Sequence, residues 1–219
     1  MEKDKNGLRA CCFVKENNGN IEDVVAVFRG TAGVNEWKDD LMDDAAIYIK
    51  NLPKEYGNNI TVTGHSKGGN KAQYVTIVTD RIGRCVSFDG QGFSKEFLEF
   101  YSARIEERKS IITSISAEHD FVNSLLFPIA GDIKYIKADF DKKFGLNHCP
   151  NKVFNSNGEL NEEVEQPAFL SRLISYLTKY SSATVSDSTL NAILEIISEC
   201  VVVPTFLSES NKLCSLYIN

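Results

Sequence analysis

The segment Thr61–Ala72, TVTGHSKGGNKA, decides the fold. It sets Ser66 two residues after Gly64 and two before Gly68, directly behind the strand-like run NITV (59–62) and ahead of a helix-like run. A serine at the tip of a sharp strand-to-helix turn has strained backbone and an exposed hydroxyl. The positions two before and two after it crowd the turn and the neighbouring strand, which favours glycine at both. Gly64 and Gly68 meet that need. The backbone N–H of Lys67, at the helix start, points toward a developing oxyanion. The alternative reading is a helix N-terminus with small residues for packing. A phosphate-binding P-loop is excluded, since G-x-x-x-x-G-K-[ST] does not occur.

The chain around this turn alternates strand and helix patterns. ACCFV (10–14) and VVAVF (24–28) are β-rich runs joined through ENNGN (16–20), which predicts an antiparallel hairpin. DDLMDDAAIYIKNLP (39–53) carries Leu41, Ala45, Ile49 and Leu52 at helical spacing and stops at Pro53. A helix over GGNKAQYVTIVTDRIG (68–83) follows the serine, then the strand RCVSF (84–88). SKEFLEFYSARIEERK (94–109) reads as one amphipathic helix, SIITSIS (110–116) and DIKYIKA (132–138) as strands, and PAFLSRLISYLTKY (167–180) as a helix. This order predicts an α/β fold: a mostly parallel sheet with an antiparallel N-terminal hairpin and helices on both faces. Ligands of such sheets bind beyond the carboxyl ends of the strands, the side on which Ser66 falls. One domain is expected over residues 1–180. A polar linker, SSATVSDS, then opens a C-terminal helical extension over 181–219 that docks on the same domain, or alternatively mediates homodimerisation.

The 219 residues carry a net charge of −6, with basic and acidic residues interleaved. A duplex-binding surface needs a basic stripe, so no nucleic-acid partner is expected. The N-terminus has charges where a signal peptide needs an apolar run, and no stretch approaches a membrane span. A cytoplasmic protein without membrane insertion is expected. Cys11, Cys12, Cys85, Cys149, Cys200 and Cys214 form no C-x-x-C pair and read as reduced thiols rather than disulfides or zinc ligands. The acidic run NEWKDDLMDD (35–44) reads as the solvated first turns of a helix rather than a metal site. No metal or other cofactor is expected. Trp37 reads as packing under the loop before it.

A nucleophilic serine needs a base, an acid that orients the base, and a second oxyanion donor. The chain has three histidines. His65 lies inside the turn, its ring expected to point away from Ser66, and His119 adjoins an aspartate on a loop. His148 lies in FGLNHCPNK, after the last β-like run. The order Ser…Asp…His, with the acid after the second strand past the serine, is that of α/β hydrolases and selects Ser66, Asp120 and His148. Asp89, in SFDGQGF (87–93), is the alternative acid, and Glu118 is close to Asp120. The second donor falls in VFRGTAG (27–33), where Gly30 lets the backbone approach and Thr31 offers its N–H.

FRGT in an early strand, a Trp–Asp-rich segment and VTGHSKGGNKA together resemble the class 3 (fungal-type) lipases. They are closer still to bacterial lipase-like domains that carry GHSKGGN and then S-F-D-G-x-G-F. The resemblance runs from about Val24 to Leu177. It implies an α/β-hydrolase fold, a nucleophile at Ser66, a base at His148 and an oxyanion threonine at Thr31. Two functions follow: a serine esterase acting on a small-molecule ester through an acyl-enzyme, or a catalytically silent module that keeps the fold and binds a partner. The complete set of residue types in order favours the first. An acidic connection from Thr31 to Ile60 with little room for a lid predicts a soluble or short-chain ester.

Overall fold

The computed structural model describes residues 2–3, 8–30, 42–142 and 144–184. Its centre is one eight-stranded sheet whose strands lie in chain order. They are β1 (Glu2–Lys3), β2 (Arg9–Asn17), β3 (Asn20–Phe28), β4 (Ile60–His65), β5 (Ile82–Phe88), β6 (Ile112–Ala117), β7 (Asp132–Ile136) and β8 (Glu163–Val164). From β3 to β7 all pairings are parallel; β1–β2, β2–β3 and β7–β8 are antiparallel. The hairpin β2–β3 is longer than its apolar runs. Asn18 and Gly19 both take positive φ, 51° and 79°, which matches the twist of a two-residue turn, and pairing extends out to Asn17–Asn20.

The helices are α1 (Met42–Asn51), α2 (Lys67–Val78), α3 (Lys95–Phe100), α4 (Ser102–Arg108) and α5 (Phe169–Thr184). Asp43 and Asp44 open α1 as expected, where acids suit the dipole. Leu41, Trp37, Glu36, Asp39 and Asp40 lie outside the described residues. The one helix expected over 94–109 is two short ones. Tyr101, at φ −101° and ψ 17°, breaks the run while keeping its ring on Phe97, 4.7 Å between centroids. The helix after Ser66 ends at Val78 rather than near Gly83, because Thr79 turns extended and Ile82 already pairs in β5. Helix α5 continues to Thr184, four residues into the expected polar linker. The remainder of the C-terminal extension, and with it the expected docking or dimer contact, lies outside the described residues.

Strand alternation sorts the core onto two faces. Val24, Ala26 and Phe28 of β3, Ile60 and Val62 of β4, and Cys85 of β5 join Ala45 and Ile49 of α1 and Ala72 and Val75 of α2 in one buried cluster. On the other face Ile115, Ala117 and Ile136 pack with Ala138 and Val153, and the helical cover there is the 3₁₀ turns Phe144–His148 and Pro150–Val153. Among the described residues no helix is long and apolar enough to cross a membrane.

Arg81 is the tie between α1 and the β4–β5 edge. Its guanidinium donates to the carbonyls of Ile49 (3.0 Å), Leu52 (2.6 Å), Pro53 (2.7 Å) and Gly57 (3.2 Å). Ile49 lies in the last turn of α1 and Leu52 and Pro53 directly follow it, at the negative end of the helix dipole, which suits a cation. Arg81→Ala is therefore expected to lower stability by about 2 kcal/mol in urea unfolding, with Arg81→Lys recovering less than half of the loss.

Candidate active site

Strand β4 runs into α2 through Ser66, which takes φ 61° and ψ −129°. That is a conformation a side chain rarely adopts, and it costs on the order of 1–3 kcal/mol. Neighbouring strands hold it. The Ser66 N–H donates to Phe88 O at the end of β5 (2.9 Å), and the Ser66 carbonyl accepts from Asn70 N–H (3.1 Å). The glycines are dictated by contact: a Cβ on Gly68 would sit 2.1 Å from Phe28 O, and one on Gly64 would sit 2.5 Å from both Phe28 O and the Gly68 carbonyl carbon. Both meet the end of β3, the strand that leads toward Gly30.

The loop itself begins at Gly30, where a Cβ would stand 2.7 Å from His65 O and 3.2 Å from Ser66 Cβ. The chain after β3 is therefore delivered directly against the turn. Thr31 is the next residue and lies outside the described residues. Lys67 is the first residue of α2, at the positive end of the helix dipole.

GHSKGGN and SFDGQGF interlock. The Asn70 side chain donates to the carbonyls of Gln91 (3.1 Å) and Gly92 (3.3 Å), and Gln73 donates to Ser87 Oγ (3.1 Å). Gly69 and Gly90 leave the space that Ser87 occupies: a Cβ on either would come within 2.6 Å and 2.2 Å of its hydroxyl. One motif thus buttresses the other, which is a physical reason for both to be present in the same chain.

His148 ends the 3₁₀ turn Phe144–His148, and Asn147 beside it holds the turn in place. The Asn147 side chain accepts from Asp141 N–H (2.7 Å) and donates to Asp141 O (2.9 Å). His148 Nδ1 lies 2.9 Å from Asp120 Oδ2. The carboxylate there selects the Nδ1–H tautomer and leaves Nε2 as an acceptor, as a general base requires. Nε2 is buried without a hydrogen-bond partner, so Ser66 Oγ does not bond to it in this structure. Burial pushes the imidazole down to about 4, which keeps it neutral at neutral pH.

Asp120 is fully buried. The Val122 N–H donates to its Oδ1 (3.0 Å), and the Asp120 N–H turns back to Ala117 O (3.1 Å). Phe121, Val122 and Leu125 anchor this loop in a small apolar cluster with Ile174 of α5. The start of α5 secures it further: Ala168 N–H and Ser171 Oγ both donate to Glu118 O, at 2.9 and 3.1 Å. Glu118 itself is used up by Ala138 N–H, and His119 lies half-exposed against Phe140. Neither meets His148.

Sequence reasoning set His65 aside, yet its ring stacks on His148 with centroids 4.6 Å apart and planes tilted by 32°. Its Nε2 lies 3.9 Å from Asp89 Oδ2. The signal available was a histidine in the turn followed by an aspartate at the end of the next strand, two positions that parallel pairing sets side by side: His65 is in register with Phe88, the residue before Asp89. Asp89 bonds elsewhere than to His148, accepting at Oδ1 from Ala117 N–H (2.7 Å) and the Asn123 amide (3.0 Å). Among the described residues no group of three His, Cys, Asp or Glu is placed to hold a metal ion.

The Mbeg1-like family model matches residues 3–126, more than half of the 219-residue chain. The chain belongs to the Mbeg1-like family. This is a lipase-like family, and the matched span contains Thr31, Ser66, Asp89 and Asp120, with His148 beyond it. Among solved structures, the extracellular lipase LipA from Serratia marcescens aligns at 18% identity and a TM-score of 0.36, over 59% of this chain. The chain spans about a quarter of that lipase, 27% of its length. No curated protein matches.

Gly68→Ala is expected to be the most damaging single-methyl change in the turn, because backbone rather than a yielding side chain stands in its way. A loss of about 3 kcal/mol or more is expected in urea unfolding. A loss below about 1 kcal/mol would show that the close approach to Phe28 O is not there.

Proposed function

We propose that this lipase-like domain is a serine acyl hydrolase that cleaves a carboxylic ester through an acyl-enzyme on Ser66. The observation that carries the reading is the buried His148–Asp120 pair at 2.9 Å, stacked on the residue that precedes the strained Ser66. In the first half-reaction Ser66 Oγ attacks the carbonyl carbon while His148 Nε2 takes its proton. The N–H groups of Thr31 and Lys67 receive the oxyanion. The tetrahedral adduct collapses, the C–O bond breaks, and the alcohol leaves with the proton from His148. Water then attacks the acyl carbon with His148 again as base, releasing the acid and restoring Ser66. Asp120 keeps Nδ1 protonated and stabilises the imidazolium that forms in each half.

The substrate proposed is a soluble or short-chain ester. Helix α1, in the described part of the connection before β4, is committed to the core through Ala45, Ala46 and Ile49, so it is a packed element and not a lid. Hydrolysis of p-nitrophenyl butyrate should exceed that of the palmitate ester, with no jump in rate as a short triglyceride passes its solubility limit. A jump at that limit would overturn the substrate class.

A fluorophosphonate probe should label Ser66 alone, and Ser66→Ala should abolish labelling with the fold retained. Failure of several such probes on a folded protein would favour the silent binding module. Within the active enzyme, Asp120→Asn should lower kcat by about 10⁴, and Asp89→Asn by much less. The reverse ranking would mean that Asp89 orients the base.

A further inference from the structure

Two histidines and two aspartates share one buried space at the carboxyl ends of β4, β5 and β6. His65 ends β4, Asp89 follows β5 and Asp120 follows β6, with His148 above them. The hydrolase mechanism uses Asp120 and His148 and gives His65 and Asp89 nothing to do. Yet both are held with care. Asp89 is fully buried and takes φ 46°, its N–H tied to Ile115 O (2.9 Å), which turns its carboxyl inward. Oδ1 has two donors, Ala117 N–H and the Asn123 amide. Oδ2 has none, and neither has Nε2 of His65, although both are buried and face one another at 3.9 Å.

A carboxylate oxygen and an imidazole lone pair, facing each other out of water, repel. One proton placed between them removes the conflict, since either group can then donate to the other. The His65 ring also bonds the backbone of His148. Nε2 is without a partner, so that bond belongs to Nδ1–H, and Nε2 is left as the acceptor. The donor is then Asp89.

We propose that Asp89 holds a proton toward His65 Nε2 at neutral pH, leaving Asp120 the one carboxylate that acts on His148, so that Asp89 and His65 are positioning residues of the Ser66 site. The charged and titratable groups facing Asp89 are Asp120, His65 and His148, with the neutral Asn123 amide. Two carboxylates in one dry space do not both ionise, and the partition is set by partners. Asp120 has the Nδ1–H of His148, the N–H of Val122 and a side-chain hydrogen bond from Asp89, all of which favour its charged form; Asp89 has a lone pair opposite its open oxygen. Burial pushes both carboxyls up to about 7, with Asp120 adding to the shift at Asp89, so their partners decide which of the two holds the proton; burial pushes the His65 imidazole down to about 4.

The catalytic consequence rests on the hydrolase reading; the proton itself is a property of the fold and is measured without turnover. A carboxyl raised above its unfolded value favours the folded state below the unfolded pKa, and that contribution is lost as pH rises through about 7. Asn at this position mimics the protonated acid, accepting from Ala117 and Asn123 and donating to His65, and it does not titrate. In urea unfolding from about pH 4 to about pH 8, Asp89→Asn should therefore gain stability relative to wild type as pH rises. The infrared difference spectrum of wild type minus Asp89→Asn at about pH 6 should show a protonated carboxyl band. Should the hydrolase reading hold, kcat for Asp89→Asn should exceed that for Asp89→Ala by at least about tenfold, and the inflection near neutral pH in the wild-type profile should move to lower pH in Asp89→Asn, where Asp120 titrates without a second carboxyl beside it. A stability difference that does not change with pH, together with an ionised carboxylate band, would overturn the proposal whatever the enzyme does with esters. The band with no esterase activity would leave the proton in place and remove the catalytic role.

Discussion

The structure depends on one close approach: the start of α2 against the end of β3, with Phe28 O set where a Cβ on Gly64 or Gly68 would stand. That contact brings three chain segments to a point. The end of β4 carries Ser66, the end of β3 hands the chain on at Gly30, and the end of β5 supplies Phe88 O to the Ser66 N–H. A parallel sheet puts all these ends on one side. The left-handed backbone of Ser66 is the local cost of turning from strand to helix within one residue, and the hydrogen bonds to β5 and within α2 hold it there.

Around that point the protein accepts a second cost, the burial of four titratable side chains. Asp120 and Asp89 are fully buried, His148 is nearly so beside Phe121, and His65 keeps 26% of its side chain exposed while its Nε2 is buried. Burial weakens every charge it covers and strengthens every hydrogen bond it leaves. Asp120 and His148 are matched to one another. Asp89 and His65 are matched only through a proton between them. The loops that carry these groups are themselves secured from a distance, Asp120 by the start of α5 and His148 by the Asn147–Asp141 pair.

Much of this was legible in the sequence for identifiable reasons. Gly64, Ser66 and Gly68 are a local pattern, and the turn they form needs no information from elsewhere. The alternation of strand and helix predicts that Asp120 and His148 come near one another, and they lie 2.9 Å apart, because parallel sheets bring consecutive strand ends together. Strand order favours Asp120 as the acid but keeps Asp89 as an alternative, since both follow strands and only side-chain placement separates them: Asp89 is claimed by Ala117 and Asn123, and Asp120 faces the ring. His65 was dismissed because a ring direction cannot be read from a turn motif. The break at Tyr101 is invisible because the apolar spacing of 94–109 survives it. The early end of α2 is a tertiary effect, set by the pairing of Ile82 in β5 and by Arg81 reaching back to α1.

The central claim is that Ser66 carries an acyl group during turnover. Rapid acid quenching of the protein with p-nitrophenyl butyrate, followed by peptide mass analysis, addresses it directly. The account predicts a burst of nitrophenol of about one equivalent per chain and a butyryl group on the peptide that contains Ser66. Steady hydrolysis with no acylated peptide, or a butyryl group on another residue, would contradict it.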